Sequence, residues 1–263
     1  MSIRGYHGLY FAIAFLGCMV FLPSRGMAQF PPAKVGPLPP PPLTLDQVVD
    51  NLIRENVKRF TALQGYQCRR TYRVVYHGFL GDLRAEMVVD LDYIAPDTKN
   101  FKLVSESGSK FLVDHILKKV ISVEAESQQA KNRKALLPNR ENYNFTHLEY
   151  QPASDGCSYV ISVQPVVPNK LLYRGRIWVN DRDFAICRIE GAPSKTPSFW
   201  ITSGELTHRY VKIGEFWFSS EDKSVSTIRL GGTATLTIQY ADYKIRTASA
   251  PAKPASSAPR KSR

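Results

Sequence analysis

Tyr66 to His77, YQCRRTYRVVYH, is the stretch that decides how the chain is read. Tyr66, Cys68, Tyr72, Val74 and Tyr76 share one parity, and Arg69, Arg73 and Val75 share the other. That period of two is the mark of a strand with one buried face. Gly78 and Gly81 signal a turn, after which Leu83, Ala85, Met87, Val89, Leu91 and Tyr93 alternate with charged or polar neighbours. Two long alternating runs with a short connection predict an antiparallel hairpin.

On the N-terminal side the period lengthens to about 3.6. Leu45, Val48, Val49, Leu52, Ile53, Val57 and Phe60 recur at helical spacing, with Asp50, Arg54, Glu55, Lys58 and Arg59 on the other face. Thr44 and Gln47 form a capping-box pair at its start, and Gly65 is expected to end the helix. Its apolar stripe must be covered, and packing on a sheet is the usual way.

On the C-terminal side a third strand near Phe101 to Glu106 leads into a second helix, Lys110 to Gln128. That helix carries Phe111, Leu112, Ile116, Leu117, Val120, Ile121 and Val123, and neither proline nor glycine interrupts it. Seven further strands are expected over 145–150, 157–166, 171–179, 184–190, 199–212, 215–229 and 233–245. Asn180-Asp181-Arg182-Asp183 and Gly231-Gly232 are among the turns between them. The fold class is therefore α+β, mainly β. A large curved antiparallel sheet or unclosed β barrel is covered by about two helices.

The flanks read differently. Arg4 and the fourteen uncharged residues Leu9 to Leu22 resemble the n- and h-regions of a signal peptide. Gly26-Met27-Ala28 places cleavage between Ala28 and Gln29. A retained anchor and lipidation at Cys18 are the alternatives. The expected organisation is a signal peptide over 1–28, a proline-rich linker over 29–43, the β domain over 44–246 and a disordered basic tail over 247–263. Export to the periplasm or beyond follows from the signal, and it argues against nucleic acid as a partner.

The formal net charge of +12 is concentrated in these flanks. Eight cations lie there (Arg4, Arg25, Lys34, Arg246, Lys253, Arg260, Lys261 and Arg263), which leaves about +4 on the folded region. The tail suits transient contact with an anionic membrane surface. After cleavage three cysteines remain in an oxidising compartment, Cys68, Cys157 and Cys187. Cys68 and Cys157 each sit near the start of a strand, and a disulfide between them is expected. Cys187, inside an apolar strand, reads as a buried thiol.

No GxSxG elbow, HExxH pair, phosphate-cradling glycine loop or paired CxxC is present. His77, His115, His147 and His208 are not helically spaced neighbours. No catalytic residue, metal or cofactor is assigned. What stands out is aromatic: thirteen Tyr, thirteen Phe and three Trp, with Trp178, Trp200 and Trp217 each inside a strand. A wide sheet under only two helices can enclose an apolar cavity.

Two stretches resemble a known family. Asp92-Tyr93-Ile94-Ala95-Pro96-Asp97-Thr98-Lys99-Asn100-Phe101-Lys102-Leu103-Val104 is similar to the strand-loop-strand segment of the outer-membrane lipoprotein-sorting (LolA/LolB-like) superfamily. Tyr173 to Asn180 and Phe184 to Glu190 look like its later hairpin. The resemblance implies an unclosed barrel with helices as a lid over a cavity for lipid or lipoprotein acyl chains. Pro96 and Phe101 map onto the family's segment, whereas its arginine before the proline is Ala95 here. Pro96, Phe101, Phe111, Leu112, Ile116 and Val120 are then expected at the lid and rim. Each buried methylene contributes about 0.8 kcal/mol, so half an acyl chain outweighs several surface lysines at about 1 kcal/mol apiece. The competing expectation is a structural or interaction module of the envelope with a solid core and no lipid ligand.

Overall fold

The structure, a computed structural model, describes residues 41–79, 81–127, 134, 136–196, 201–229 and 231–247. The expected signal segment, nearly all of the linker, the tail and Trp200 lie outside the described residues.

Helix α1 runs Leu45–Ala62 behind the expected capping box. The Thr44 amide donates to Gln47 Oε1 at 2.9 Å, and the Gln47 amide donates to Thr44 Oγ1 at 3.3 Å. Thr44→Ala is expected to cost about 1 kcal/mol, read as a lower urea midpoint at unchanged slope. Gly65 does not end the helix. The chain turns extended at Leu63 and enters β1 (Leu63–His77) directly. Gly65 is needed inside that strand, because a Cβ there would lie 2.5 Å from the Tyr93 carbonyl oxygen.

Nine further strands follow: β2 (Leu83–Ile94), β3 (Thr98–Gly108), β4 (Tyr143–Tyr150), β5 (Tyr159–Pro165), β6 (Tyr173–Val179), β7 (Ile186–Pro193), β8 (Ile201–Ile213), β9 (Phe216–Ile228) and β10 (Thr233–Thr247). They form one ten-stranded antiparallel sheet in the order β3-β2-β1-β10-β9-β8-β7-β6-β5-β4. The sheet is not closed, and β3 and β4 are its edges. Gly175 and Gly191 face each other where β6 meets β7. A Cβ on Gly191 would lie 2.0 Å from the Arg174 carbonyl oxygen, so this close approach of the two strands requires glycine.

Two apolar clusters fill the concave side. In the first, Val48, Val49 and Leu52 of α1 pack on Tyr159, Ile161, Ile177, Val179 and Ile189 of β5 to β7. In the second, Leu112, Val113 and Leu117 pack on Tyr72, Val74, Met87, Val89 and Ile238 of β1, β2 and β10. The second helical segment comprises α2 (Lys110–Leu112), a π turn (Val113–Leu117) and α3 (Lys118–Ser127). The π turn corrects the expected face. In an unbroken α-helix Ile116 would follow Leu112 on one side, but the wider turn brings Leu117 inward and leaves Ile116 exposed.

The disulfide also differs from expectation. Cys157 bonds to Cys187, with Cα atoms 6.2 Å apart, and Cys68 is a buried free thiol. Cys157 just before β5 and Cys187 in β7 flank the same end of β6, whereas Cys68 faces the core from β1. Burial pushes the Cys68 thiol above its ordinary value, which keeps it protonated and unreactive.

Candidate functional site

Helix α1 is sealed against the sheet over only its first half. Val48, Val49 and Leu52 are completely buried, yet Val57 is 59% exposed and Phe60 46%. The last turns stand away from the strands, and the space beneath them is a cavity of about 550 Å³. Ile53, Val57, Phe60 and Leu63 form its roof, and Leu137, Pro138 and Asn139 form one side. Its floor is Ala185, Ile186, Tyr210, Phe216, Trp217 and Phe218 of β7, β8 and β9 and the turn before β7. The volume is in the range of small-molecule pockets. Exposed Val57, Phe60 and Leu137 mark where it meets solvent.

An aromatic seam closes the inner end. Phe218 lies tilted against Tyr243 at 4.7 Å and edge-on to Tyr66 at 5.1 Å, and Tyr66 reaches Tyr93 at 5.2 Å.

The turn before β7 lies behind the wall and holds two of its residues, Arg59 and Trp217. Asn180, buried, accepts from the Arg182 and Asp183 amides with its side-chain oxygen, which folds the expected acidic turn back on itself. Asp183 is thereby fixed to accept from Trp217 Nε1 at 2.9 Å and to pair with Lys212 at 2.8 Å. Its carboxyl is held below the usual range; burial alone would raise it, but Lys212 and Trp217 overcome that. Arg59 of α1 donates to the Asp183 carbonyl oxygen and to Asn56 Oδ1, both at 2.8 Å. These bonds pin the second half of the helix at the cavity wall.

None of the six residues expected at the lid and rim lines this cavity. Leu112 is buried in the second cluster, with Phe101 and Val120 packed against it. Phe111 is 56% exposed and Ile116 38%, and Pro96 receives the Tyr93 hydroxyl on its carbonyl oxygen at 2.8 Å.

Arg70 went unrecognised in the sequence. It shares the parity of Cys68 and Tyr72, and it is buried on the core face of β1. It donates to Glu124 of α3 at 2.7 Å, and Lys99 of β3 donates to the other Glu124 oxygen at 2.6 Å. The Arg70 guanidinium also lies 4.9 Å over the Tyr240 ring. This buried triad fastens the second helix to β1 and β3. Among the histidines, His208 meets Asp222 at 2.7 Å, and Asp222 accepts from the Tyr240 hydroxyl as well. No group of three or more His, Cys, Asp or Glu able to hold a metal occurs among the described residues. No described helix is long and apolar enough to cross a membrane.

Solved structures align with most of this chain at low identity and score. The chain is similar to a DUF1329 family protein from Desulfovibrio piger, at 12% identity and a TM-score of 0.38, covering 78% of this chain and 95% of that one. A putative outer membrane lipoprotein-sorting protein domain from Vibrio parahaemolyticus aligns at 10% identity and a TM-score of 0.36, over 79% and 96% of the two chains. A LolA superfamily protein from Nitrosomonas europaea aligns at 13% and 0.33, over 78% and 94%. No family model matches the sequence, and no curated protein matches it. At these identities and scores nothing about ligand or role transfers to this chain.

Proposed function

We propose that this protein is a non-catalytic, exported binding protein or carrier that holds an acyl chain of a lipid or lipoprotein in the cavity beneath the second half of α1. The observation that carries the reading is the contrast along one helix. Three residues are sealed at the first half, and Val57 and Phe60 stand exposed over an apolar space at the second. Burial of a guest's methylenes against this exposed apolar end would contribute about 0.8 kcal/mol each. The lid role expected for Phe101, Phe111, Leu112, Ile116 and Val120 belongs to this proposal as a separate element. It requires the second helix to open from β1 to β3.

The test is uptake of an uncharged apolar fluorophore, N-phenyl-1-naphthylamine, by delipidated protein. Saturable enhancement is expected in the parent protein. Ile186→Trp, which fills the floor, should weaken it at least tenfold while circular dichroism is unchanged. If the parent shows no enhancement, the carrier reading fails and a module that acts through its surface takes its place.

A further inference from the structure

We infer that the cavity accepts a single-chain amphiphile with an anionic head, a carboxylate or a phosphate, and that Arg59 binds that head. The inference rests on the carrier reading and narrows it to one class of ligand.

The lining carries cations and no anion, with the Asp183 carboxylate set behind it against Trp217 and Lys212. Of the sixteen lining residues, Arg59 and Lys134 are cationic and none is Asp or Glu. Arg59 is half-buried, and the two acceptors it reaches are neutral, a main-chain carbonyl and the Asn56 amide. No carboxylate lies within salt-bridge distance of its guanidinium among the described residues. Its acidic neighbours are already engaged. Asp183 is held by Lys212, Trp217 and the Ala185 amide, and Glu55 is held by Lys58 and Arg54. Lys134 reaches Glu141 only at 3.8 Å, with both side chains largely exposed.

Arg59 is therefore a partly desolvated cation with no direct ion pair among the described residues, its charge offset only through space by Asp183 and Glu55. Burial pulls the guanidinium below its ordinary value, with Asp183 and Glu55 opposing. Such a group is costly until an anion meets it. Its planar fork suits the two oxygens of a carboxylate or phosphate, and Nε and the remaining Nη hydrogens are unclaimed by described residues. Size sets the tail. At about 30 Å³ for each water-sized group, a cavity of about 550 Å³ holds about eighteen such groups. That is enough for one long alkyl chain. The rim is apolar where the chain would enter, at Val57, Phe60 and Leu137.

The experiment is displacement of N-phenyl-1-naphthylamine from the full domain by three ligands of equal chain length: laurate, dodecyl phosphate and uncharged monolaurin. At least one anion is expected to bind about 10- to 100-fold more tightly than monolaurin, the range of a charge-assisted hydrogen bond. Whichever anion is tighter identifies the head. Arg59→Gln should abolish the preference, read as the ratio of anion to monolaurin affinity within that variant, and Arg59→Lys should restore part of it. Val57→Asp, at an exposed position, should weaken the anions more than monolaurin, and it serves if the Arg59 variants fold poorly. Equal affinity for all three ligands, or a preference that survives Arg59→Gln, overturns this inference but leaves the carrier reading standing. Failure of the dye itself to bind overturns both.

Discussion

Replacing Glu124 with Gln is expected to destabilise the domain by about 3–5 kcal/mol, the cost of leaving buried cations without their counter-charge. Glu124 is the only described carboxylate paired with Arg70 and Lys99, whose side chains are 4% and 12% exposed. The amide keeps the size of the carboxylate, so the loss reports charge rather than shape. Urea unfolding at pH 7 measures it, and a loss below about 1 kcal/mol would mean that water solvates both cations.

The same residue gives the wild type an acid limit. Burial alone would raise the Glu124 carboxyl, but Arg70 and Lys99 overcome it and hold it below the ordinary value. A carboxyl lowered in the folded state contributes stability that is present above the unfolded value, about 4.3. It is lost as pH falls through the folded value. Stability of the parent should therefore decline below about pH 4.3 more steeply than that of Glu124→Gln, and the two curves should converge in acid.

The second large effect is expected from the disulfide. Cys157→Ser with Cys187→Ser opens a loop of 30 residues. On the chain-entropy account this removes about 3–4 kcal/mol. The bond also holds the loop before β5 against the turn that carries Asp183: the Asp181 amide donates to the Gly156 carbonyl at 2.7 Å, and Asn180 Nδ2 donates to the Asp155 carbonyl at 3.1 Å. The double variant should therefore lose dye affinity as well as stability. Thiol titration of the oxidised, denatured chain should find Cys68 reactive and both partners silent. Reactivity at Cys187 would refute the pairing.

The strands were legible in the sequence because alternation reports one buried face directly. β2 shows this best, with Ala85, Met87, Val89, Leu91 and Tyr93 all buried as the period demanded. Pairing across the sheet was not legible. Cys157 and Cys187 meet because β5 and β7 flank β6, and alternation within a strand says nothing of its neighbours. Arg70 was hidden for another reason. A charged residue on an apolar parity reads as an exception until its partner is known, and Glu124 lies 54 residues away on a helix. The cavity was the least legible feature. Val57 and Phe60 continue the stripe begun by Val48, so periodicity alone predicts that the whole of α1 lies flat.

The pairing of β1 with β10 sets an order of assembly. The N-terminal hairpin and β3 adjoin the rest of the sheet only through the last strand, Thr233–Thr247. A growing or threading chain can form β4 to β9 by neighbour-to-neighbour zippering and can dock α1 on β5 to β7, but β1 to β3 have no further strand to pair with until residue 233 and beyond arrive. Contacts so distant in sequence form slowly. Completion at the far end thus makes the sheet continuous, and in a chain cut short before that strand its two parts are tied only through α1.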